Sequence, residues 1–155
     1  FWVDDDDKET IDLYNDYLYQ FPFVKIFIKP RPHSLNAAIN FLAMSGRGRY
    51  AANFNDDCVL LTQDWDQLML ANIAEFKEKN AIKDDIVYCG TDDDSFDRDA
   101  SKGYSSFCTI SRQAIDVIGK FMEISFCSLG ADAHIFRVYN EIGRVCPCSK
   151  SRLYQ

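Results

Sequence analysis

Short apolar runs alternate along the chain with longer segments whose apolar residues recur at helical spacing. Runs of β-branched and aromatic residues predict strands at Phe23–Ile28, Tyr50–Phe54 and Ile86–Cys89. Helical spacing predicts one helix capped by Ser34 and another that starts near Asp64. This alternation predicts an α/β sandwich with a mostly parallel sheet, in which ligands collect at the carboxyl ends of the strands.

The start of the chain fits the same alternation. Phe1–Val3 is predicted to be a core strand, followed by an acidic loop and by a helix over Glu9–Tyr19. The loop, Asp4–Lys8, also matches a familiar protease-site tag, but the apolar triplet enters it as a core strand would. Further along, Tyr104–Ile110 is a predicted strand, and Ser111 is predicted to cap the helix that follows.

The composition indicates one globular domain over residues 1–155. Hydrophobic residues make up 47% of the chain and aromatic residues 14%, which is enough for a sizeable core. The net charge is −7 and no cluster of Lys or Arg is present, so we expect no nucleic-acid partner. No apolar run is long enough to predict a transmembrane segment. The six cysteines are scattered, which predicts buried free thiols and a reducing, cytoplasmic compartment.

Acidic residues follow three of the predicted strands, after Val3, Phe54 and Cys89. Asp56 and Asp57 are costly to desolvate at the end of a core strand, so we expect them in a water-filled cleft or around a cation. Mg²⁺ and Mn²⁺ favour such oxygen ligands and often bridge to a substrate's phosphates. A solvated turn with Asp as a helix cap is the alternative interpretation.

Two further polar segments have alternative interpretations. The segment Gly90–Asp99 holds five Asp and is either a solvated loop or a lid that faces an acceptor. Asp132 lies in the first turn of a predicted helix, where the helix dipole favours it whatever else it does. Within hydrogen-bond reach of a hydroxyl, it could instead serve as a general base. His134 is either a half-buried helix histidine or a metal ligand.

The region from His33 to Asp57 resembles the metal-site region of GT-A glycosyltransferases, and especially their family-2-like group. The resemblance rests on a small-residue helix with Asn40, on a glycine at 46 or 48, and on Asn55-Asp56-Asp57. The last run corresponds to the family's DxD-type motif, with Asn in place of the usual first Asp. The resemblance implies a Rossmann-like GT-A three-layer sandwich. It also implies that the family's first strand and helix would precede Phe1, so the domain would be N-terminally incomplete.

The resemblance assigns roles to particular residues. It implies that a Mn²⁺ or Mg²⁺ ion is held by Asp56 and Asp57, with His134 as a further ligand. It implies that Asp132, in the run Gly130-Ala131-Asp132, is the base that deprotonates an acceptor hydroxyl. The residues implied to contact the nucleotide-sugar donor are Asp4, Asp5, Asn40, Asn55 and Asp56.

The resemblance therefore implies a metal-dependent glycosyltransferase that moves a sugar from a nucleoside-diphosphate sugar to an acceptor hydroxyl, with inversion. No Gly-rich phosphate loop is present, so a metal would have to neutralise the diphosphate. Two alternatives stay open. One is a non-catalytic binding or scaffold domain derived from that fold, and the other is a two-metal phosphohydrolase or nuclease.

Overall fold

A computed structural model describes residues 1–17, 20–93, 104–126 and 130–154, with only the backbone described at 93 and 148–154. Within these residues strands and helices alternate over most of the chain. The strands are β1 Trp2–Asp4, β2 Phe27–Lys29, β3 Tyr50–Ala52, β4 Val59–Leu60, β5 Tyr88–Asp93, β6 Cys108–Ser111 and β7 Val145–Tyr154. The helices are α1 Lys8–Asp16, α2 Leu35–Ser45, α3 Trp65–Lys79, α4 Arg112–Ile118 and α5 Ala131–Glu141. None of these helices has the length and apolar character needed to cross a membrane.

The strands form two sheets. Strands β1 and β2 make a parallel pair, with Val3 opposite Ile28. The other five strands form one sheet in the order β3-β6-β5-β7-β4. In that sheet Tyr88 of β5 lies between Ile110 of β6 and Val145 of β7. The mixed α/β class that the sequence predicts is therefore confirmed.

The five-stranded sheet is mixed, whereas the sequence predicts a mostly parallel sheet. Only β5 and β7 pair in parallel within it, and its other three pairings are antiparallel. Between β5 and β6 the described residues contain no helix. Antiparallel neighbours need no crossover helix, so this connection allows the chain to reverse direction directly.

The helix starts agree with the sequence pattern. The Ser34 hydroxyl accepts a hydrogen bond from the Ala37 N–H at 3.2 Å, and the Ser111 hydroxyl accepts one from Ala114 at 3.1 Å. Helix α3 starts directly after Asp64, as predicted, but Asp64 makes no side-chain cap and has a φ of 54°. Each serine satisfies a backbone N–H that the first turn leaves without an intrahelical partner.

The strand lengths differ from the prediction. Only the end of Phe23–Ile28 belongs to a strand, and the Phe23 side chain is 80% exposed in a turn. The strand predicted to be buried at Tyr50–Phe54 is β3, which ends at Ala52 and is half-buried to exposed. It pairs with β6 alone, so it lies at the edge of the sheet. The acidic loop predicted over Gly90–Asp99 begins as part of β5, and the rest of it lies outside the described residues.

The core is divided between the two faces of the larger sheet. On one face Tyr88 and Ile110 pack with residues of α2, α4 and α5. On the other face Cys89 packs with Met69 and Ile73 of α3. Cys89, Cys108 and Cys146 are buried free thiols, as the sequence predicts, and burial raises the pKa of the Cys108 thiol to about 12. Helices therefore cover both faces of this sheet.

An ion cluster joins the segment before β5 to its neighbours. The Arg49 guanidinium donates two hydrogen bonds to the Asp85 carboxylate, at 2.7 and 2.9 Å, and Lys77 of α3 donates a third. Next to it, Arg144 forms a bidentate pair with Asp84 at 2.7 and 3.1 Å. These charges hold α3, β3 and β7 at the start of the central strand.

We predict that Asp85→Asn lowers the free energy of unfolding by about 1–3 kcal/mol at neutral pH, because it removes a charged acceptor that serves two cations. The hydrogen bonds from Arg49 and then Lys77 lower the pKa of Asp85 to about 2. A carboxyl with a lowered folded-state pKa stabilises the fold above about pH 4, and loses that contribution as the pH falls to about 2. Urea titrations between pH 7 and pH 2 should show the two proteins converging only at the acid end. Asp12→Asn on the exposed side of α1 is the control, and an equal effect there would contradict the assignment.

Candidate functional site

Two of the predicted acidic segments meet in one cavity. Asp4 ends β1, Asp56 lies in the turn after β3, and both line a cavity of about 490 Å³. Helix α1 closes another side of it with Thr10, Leu13 and Tyr14, which share one helix face. A cavity of this volume is in the usual range for small-molecule sites. The structure thus brings together two carboxylates that are 52 positions apart in the sequence.

The Asp4 carboxylate is held by two donors. The indole N–H of Trp2 donates to its Oδ1 at 3.2 Å, and the guanidinium Nε of Arg31 lies 3.0 Å from its Oδ2. Asp5 is exposed beside it, and its backbone N–H donates to the Lys29 carbonyl at 2.9 Å. The arrangement places one cation and one aromatic N–H next to the predicted nucleotide-binding pair. Neither Trp2 nor Arg31 is a site residue in the sequence interpretation.

Asp7, which lines the same cavity, has a structural role. Its carboxylate accepts hydrogen bonds from the Thr10 hydroxyl at 2.7 Å and the Thr10 N–H at 3.1 Å. These bonds, the one from the hydroxyl first, lower the pKa of Asp7. This carboxylate is therefore the N-cap that fixes the start of α1 over the cavity.

The predicted metal-binding residues lie on an exposed turn. Asn55, Asp56 and Asp57 are all exposed, and the Cys58 N–H closes the turn onto the Asn55 carbonyl at 3.3 Å. Among the described residues, no three Asp, Glu, His or Cys side chains gather closely enough to hold a metal ion. The structure therefore does not join His134 to the Asp56–Asp57 pair. A hard cation at this pair would take its other ligands from water or from substrate phosphates.

Asn40 is engaged by the protein itself. Its Oδ1 accepts hydrogen bonds from the N–H groups of Phe121 and Met122 at 2.7 and 2.8 Å, and its Nδ2 donates to the Met122 carbonyl at 2.8 Å. One turn earlier, Asn36 donates to the carbonyls of Glu123 and Phe126 at 3.1 and 2.6 Å. The two asparagines on α2 thus fix residues 121–126, the segment that leads towards α5. Their i, i+4 spacing is visible in the sequence, but their partners are not.

Asp132 lies in the first turn of α5, in a cluster of hydroxyl donors. The Tyr104 phenol donates to Asp132 Oδ2 at 2.6 Å, and the Ser106 hydroxyl donates to the same oxygen at 3.3 Å. His134 is exposed two residues later, and its ring lies 5.3 Å from that of Phe126. Asn36, near the start of α2, donates to the Phe126 carbonyl, and the Phe126 ring contacts His134 of α5. The first turn of α5 therefore lies near the start of α2, which follows β2.

We predict that Asn40→Ala lowers the free energy of unfolding by about 1–3 kcal/mol, because two backbone N–H groups at 121 and 122 lose their acceptor. Guanidinium denaturation measures the change. Asn140→Ala, at an exposed position of α5, is the matched control and should shift stability by less than about 0.5 kcal/mol. Equal stability of the two variants would show that the Asn40 amide does not hold this segment.

Comparison of the chain with protein-family models, with curated proteins and with solved structures gives no match. The relationship to GT-A glycosyltransferases is therefore a resemblance that rests on the residues from His33 to Asp57 and on the runs at Asp4 and Gly130.

Proposed function

We propose that this domain is a metal-dependent glycosyltransferase of the GT-A type, which transfers a sugar from a nucleoside-diphosphate sugar to an acceptor hydroxyl. Asp56 and Asp57 hold Mn²⁺ or Mg²⁺, Asp4 and Asp5 contact the nucleoside, and Asp132 is the base. The observation that carries the proposal is the shared cavity of Asp4 and Asp56. The resemblance assigns Asp4 to the nucleoside and Asp56 to the diphosphate of one donor, and the two residues line one cavity of suitable volume.

The charge of this cavity supports a cation-assisted diphosphate site. Asp4, Asp7 and Asp56 line it, and Arg31 pairs with Asp4, so the remaining excess of negative charge would repel an anionic donor unless a further cation binds. The Asp56 and Asp57 side chains are exposed, so they can bind a hard cation without first losing protein partners in a dry core. When bound, a divalent ion would neutralise the diphosphate and stabilise the charge that develops as it departs.

The architecture also supports the proposal. Helices cover both faces of the larger sheet, as a three-layer sandwich requires. In the described strands β1 pairs only with β2 and β3 pairs only with β6, so each presents an unpaired edge. Helix α2 connects the two sheets, because Phe41 packs against Trp2 and Phe27 while Ala43 joins the larger core. The two sheets would be the two parts of one GT-A sheet.

Asp132 has the chemistry that the proposed base needs. Asp132 lies in the first turn of α5, a position that the helix dipole favours for an acidic side chain. It can then accept the proton of the acceptor hydroxyl as that oxygen attacks the anomeric carbon. Attack on the face opposite the departing diphosphate gives a single displacement and inverts the anomeric configuration.

The buried free thiols at Cys89, Cys108 and Cys146 support a reducing, cytoplasmic location for this activity.

One observation favours a second candidate, a non-catalytic binding domain. Two cavities of about 660 and 230 Å³ are both lined by Leu42 of α2 and by Gly46, which follows that helix; the larger one reaches Phe27 of β2 and the smaller one reaches β3. Phe23 and Phe1, which line the larger one, are 80% and 65% exposed. Exposed apolar side chains beside unpaired strand edges are typical of a surface that another chain covers.

We predict that the protein releases nucleoside diphosphate from one sugar nucleotide when Mn²⁺ and an acceptor are supplied, and that EDTA abolishes the reaction. Asp132→Asn should lower kcat by about 10²- to 10⁴-fold, the usual contribution of a general base, and leave donor affinity unchanged. The combined variant D56N/D57N should instead lose the response to Mn²⁺. Release of nucleoside diphosphate by a coupled assay, with donor affinity from calorimetry, separates the two effects.

Asp116→Asn, at an exposed position of α4, is the control for both variants and should behave as the unmodified protein. Normal turnover in Asp132→Asn would rule out this carboxylate as the base. A protein that melts cooperatively but turns over no sugar nucleotide would favour the binding-domain alternative.

A further inference from the structure

We infer that Tyr104 is the positioning residue for the Asp132 carboxylate, with Ser106 as a second donor to the same oxygen. The inference rests on the proposed function, because it takes Asp132 as the base. It adds a residue that the resemblance does not assign. The geometry that points to it is the 2.6 Å hydrogen bond between the Tyr104 phenol and Asp132 Oδ2.

The hydrogen bond is short and involves a carboxylate. A distance of 2.6 Å lies in the range of charge-assisted O–H···O⁻ bonds, which are roughly twice as strong as neutral ones. Ser106, two residues after Tyr104 in the sequence, donates to the same Oδ2 at 3.3 Å. Both donors act on one oxygen, so they select the rotamer of Asp132 and the direction in which the carboxylate faces an acceptor.

The Tyr104 ring is fixed against the same helix. Its centroid lies 5.2 Å from that of Phe136, at an interplanar angle of 83°. Phe136 follows Asp132 by four positions, so the two residues share one face of α5. Tyr104 therefore contacts this face with its ring at one turn and with its hydroxyl at the preceding turn. Such a two-point contact fixes the helix rotation as well as the carboxylate.

The backbone next to Tyr104 is anchored in the core. Ser105 is fully buried, and its carbonyl accepts a hydrogen bond from the Tyr88 phenol at 2.9 Å. The Ser105 hydroxyl donates to the Phe107 carbonyl at 2.8 Å and lies 3.1 Å from the Thr91 hydroxyl. Buried polar groups that are satisfied in this way make a segment rigid. The position of Tyr104 is thus set by the central strand β5, which supplies Tyr88 and Thr91.

A base must be held within a few tenths of an ångström of its productive position, because a small misplacement removes most of its advantage. We therefore predict that Tyr104→Phe lowers kcat by about 10- to 100-fold and leaves the KM for the sugar nucleotide unchanged. Ser106→Ala should act in the same direction with a smaller loss. In a Tyr104→Phe/Asp132→Asn double variant, kcat should equal that of Asp132→Asn alone, because the tyrosine acts through the carboxylate.

Tyr139→Phe is the matched control. Tyr139 is buried in the core cluster that contains Tyr88. Its hydroxyl is buried without a hydrogen-bond partner among the described residues. Removing that hydroxyl should leave both kcat and KM unchanged. If Tyr104→Phe matches Tyr139→Phe in kcat while Asp132→Asn is inactive, the inference is overturned and the proposed base stands. If Asp132→Asn keeps full turnover, it is the proposed function that fails.

The contact can also be tested without turnover. Thermal melts of Tyr104→Phe, Asp132→Asn and the double variant form a double-mutant cycle. We expect the double variant to lose less in Tm than the sum of the two single losses. Strictly additive losses would show that the two side chains do not interact, and would overturn the inference whether or not a donor is known.

Discussion

Strand β5 must be buried on both faces, and most of the architecture follows from that constraint. Tyr88 and Cys89 are fully buried on opposite faces, so each face needs its own layer of helices. The same strand pairs with β6 on one side and β7 on the other, which satisfies its backbone groups away from water. The ion pairs of Asp84 and Asp85 lie where the chain enters this strand. The candidate site residues Asp4, Asp56 and Asp132 consequently lie outside the core, at a strand end, in a turn and at a helix start.

The Asp4–Asp56 cavity and the hydrogen-bonded cluster around Asp132 depend on different parts of the structure. Asp4 ends β1, and Asp56 lies in the exposed turn after β3, where a hydrated carboxylate can attract a cation. Asp132 instead lies at a helix start that is held from the core through Tyr104 and Ser105. In a transferase the first arrangement suits an ion and a mobile donor. The second suits a base that must not move.

Local sequence predicts the helix starts well, because Ser34 and Ser111 cap helices with atoms that lie three residues away. The sequence places acidic residues after β1 and β3, but it does not show that these strands lie in separate sheets and still share one cavity. The length of a strand cannot be predicted from the local sequence, since Phe23 is apolar and β-prone but lies outside β2 and is exposed. Strand β7 contains Pro147 and several polar residues, so its local sequence does not predict a strand, and its pairing with β5 identifies it as one. The partners of Asn40 lie 81 and 82 positions away, and nothing in the local sequence indicates them.

The proposed transferase would bind a divalent ion and a nucleoside diphosphate together at the Asp4–Asp56 cavity. The most direct measurement is the melting temperature with Mn²⁺ alone, with each nucleoside diphosphate alone and with both. A ligand at about 100 times its dissociation constant adds about 2.7 kcal/mol, which for a domain of this size is a shift of several degrees. We expect such a shift for one nucleotide only when Mn²⁺ is also present, and we expect D56N/D57N to lose it. A cooperative melt that no combination of metal and nucleotide moves would contradict it.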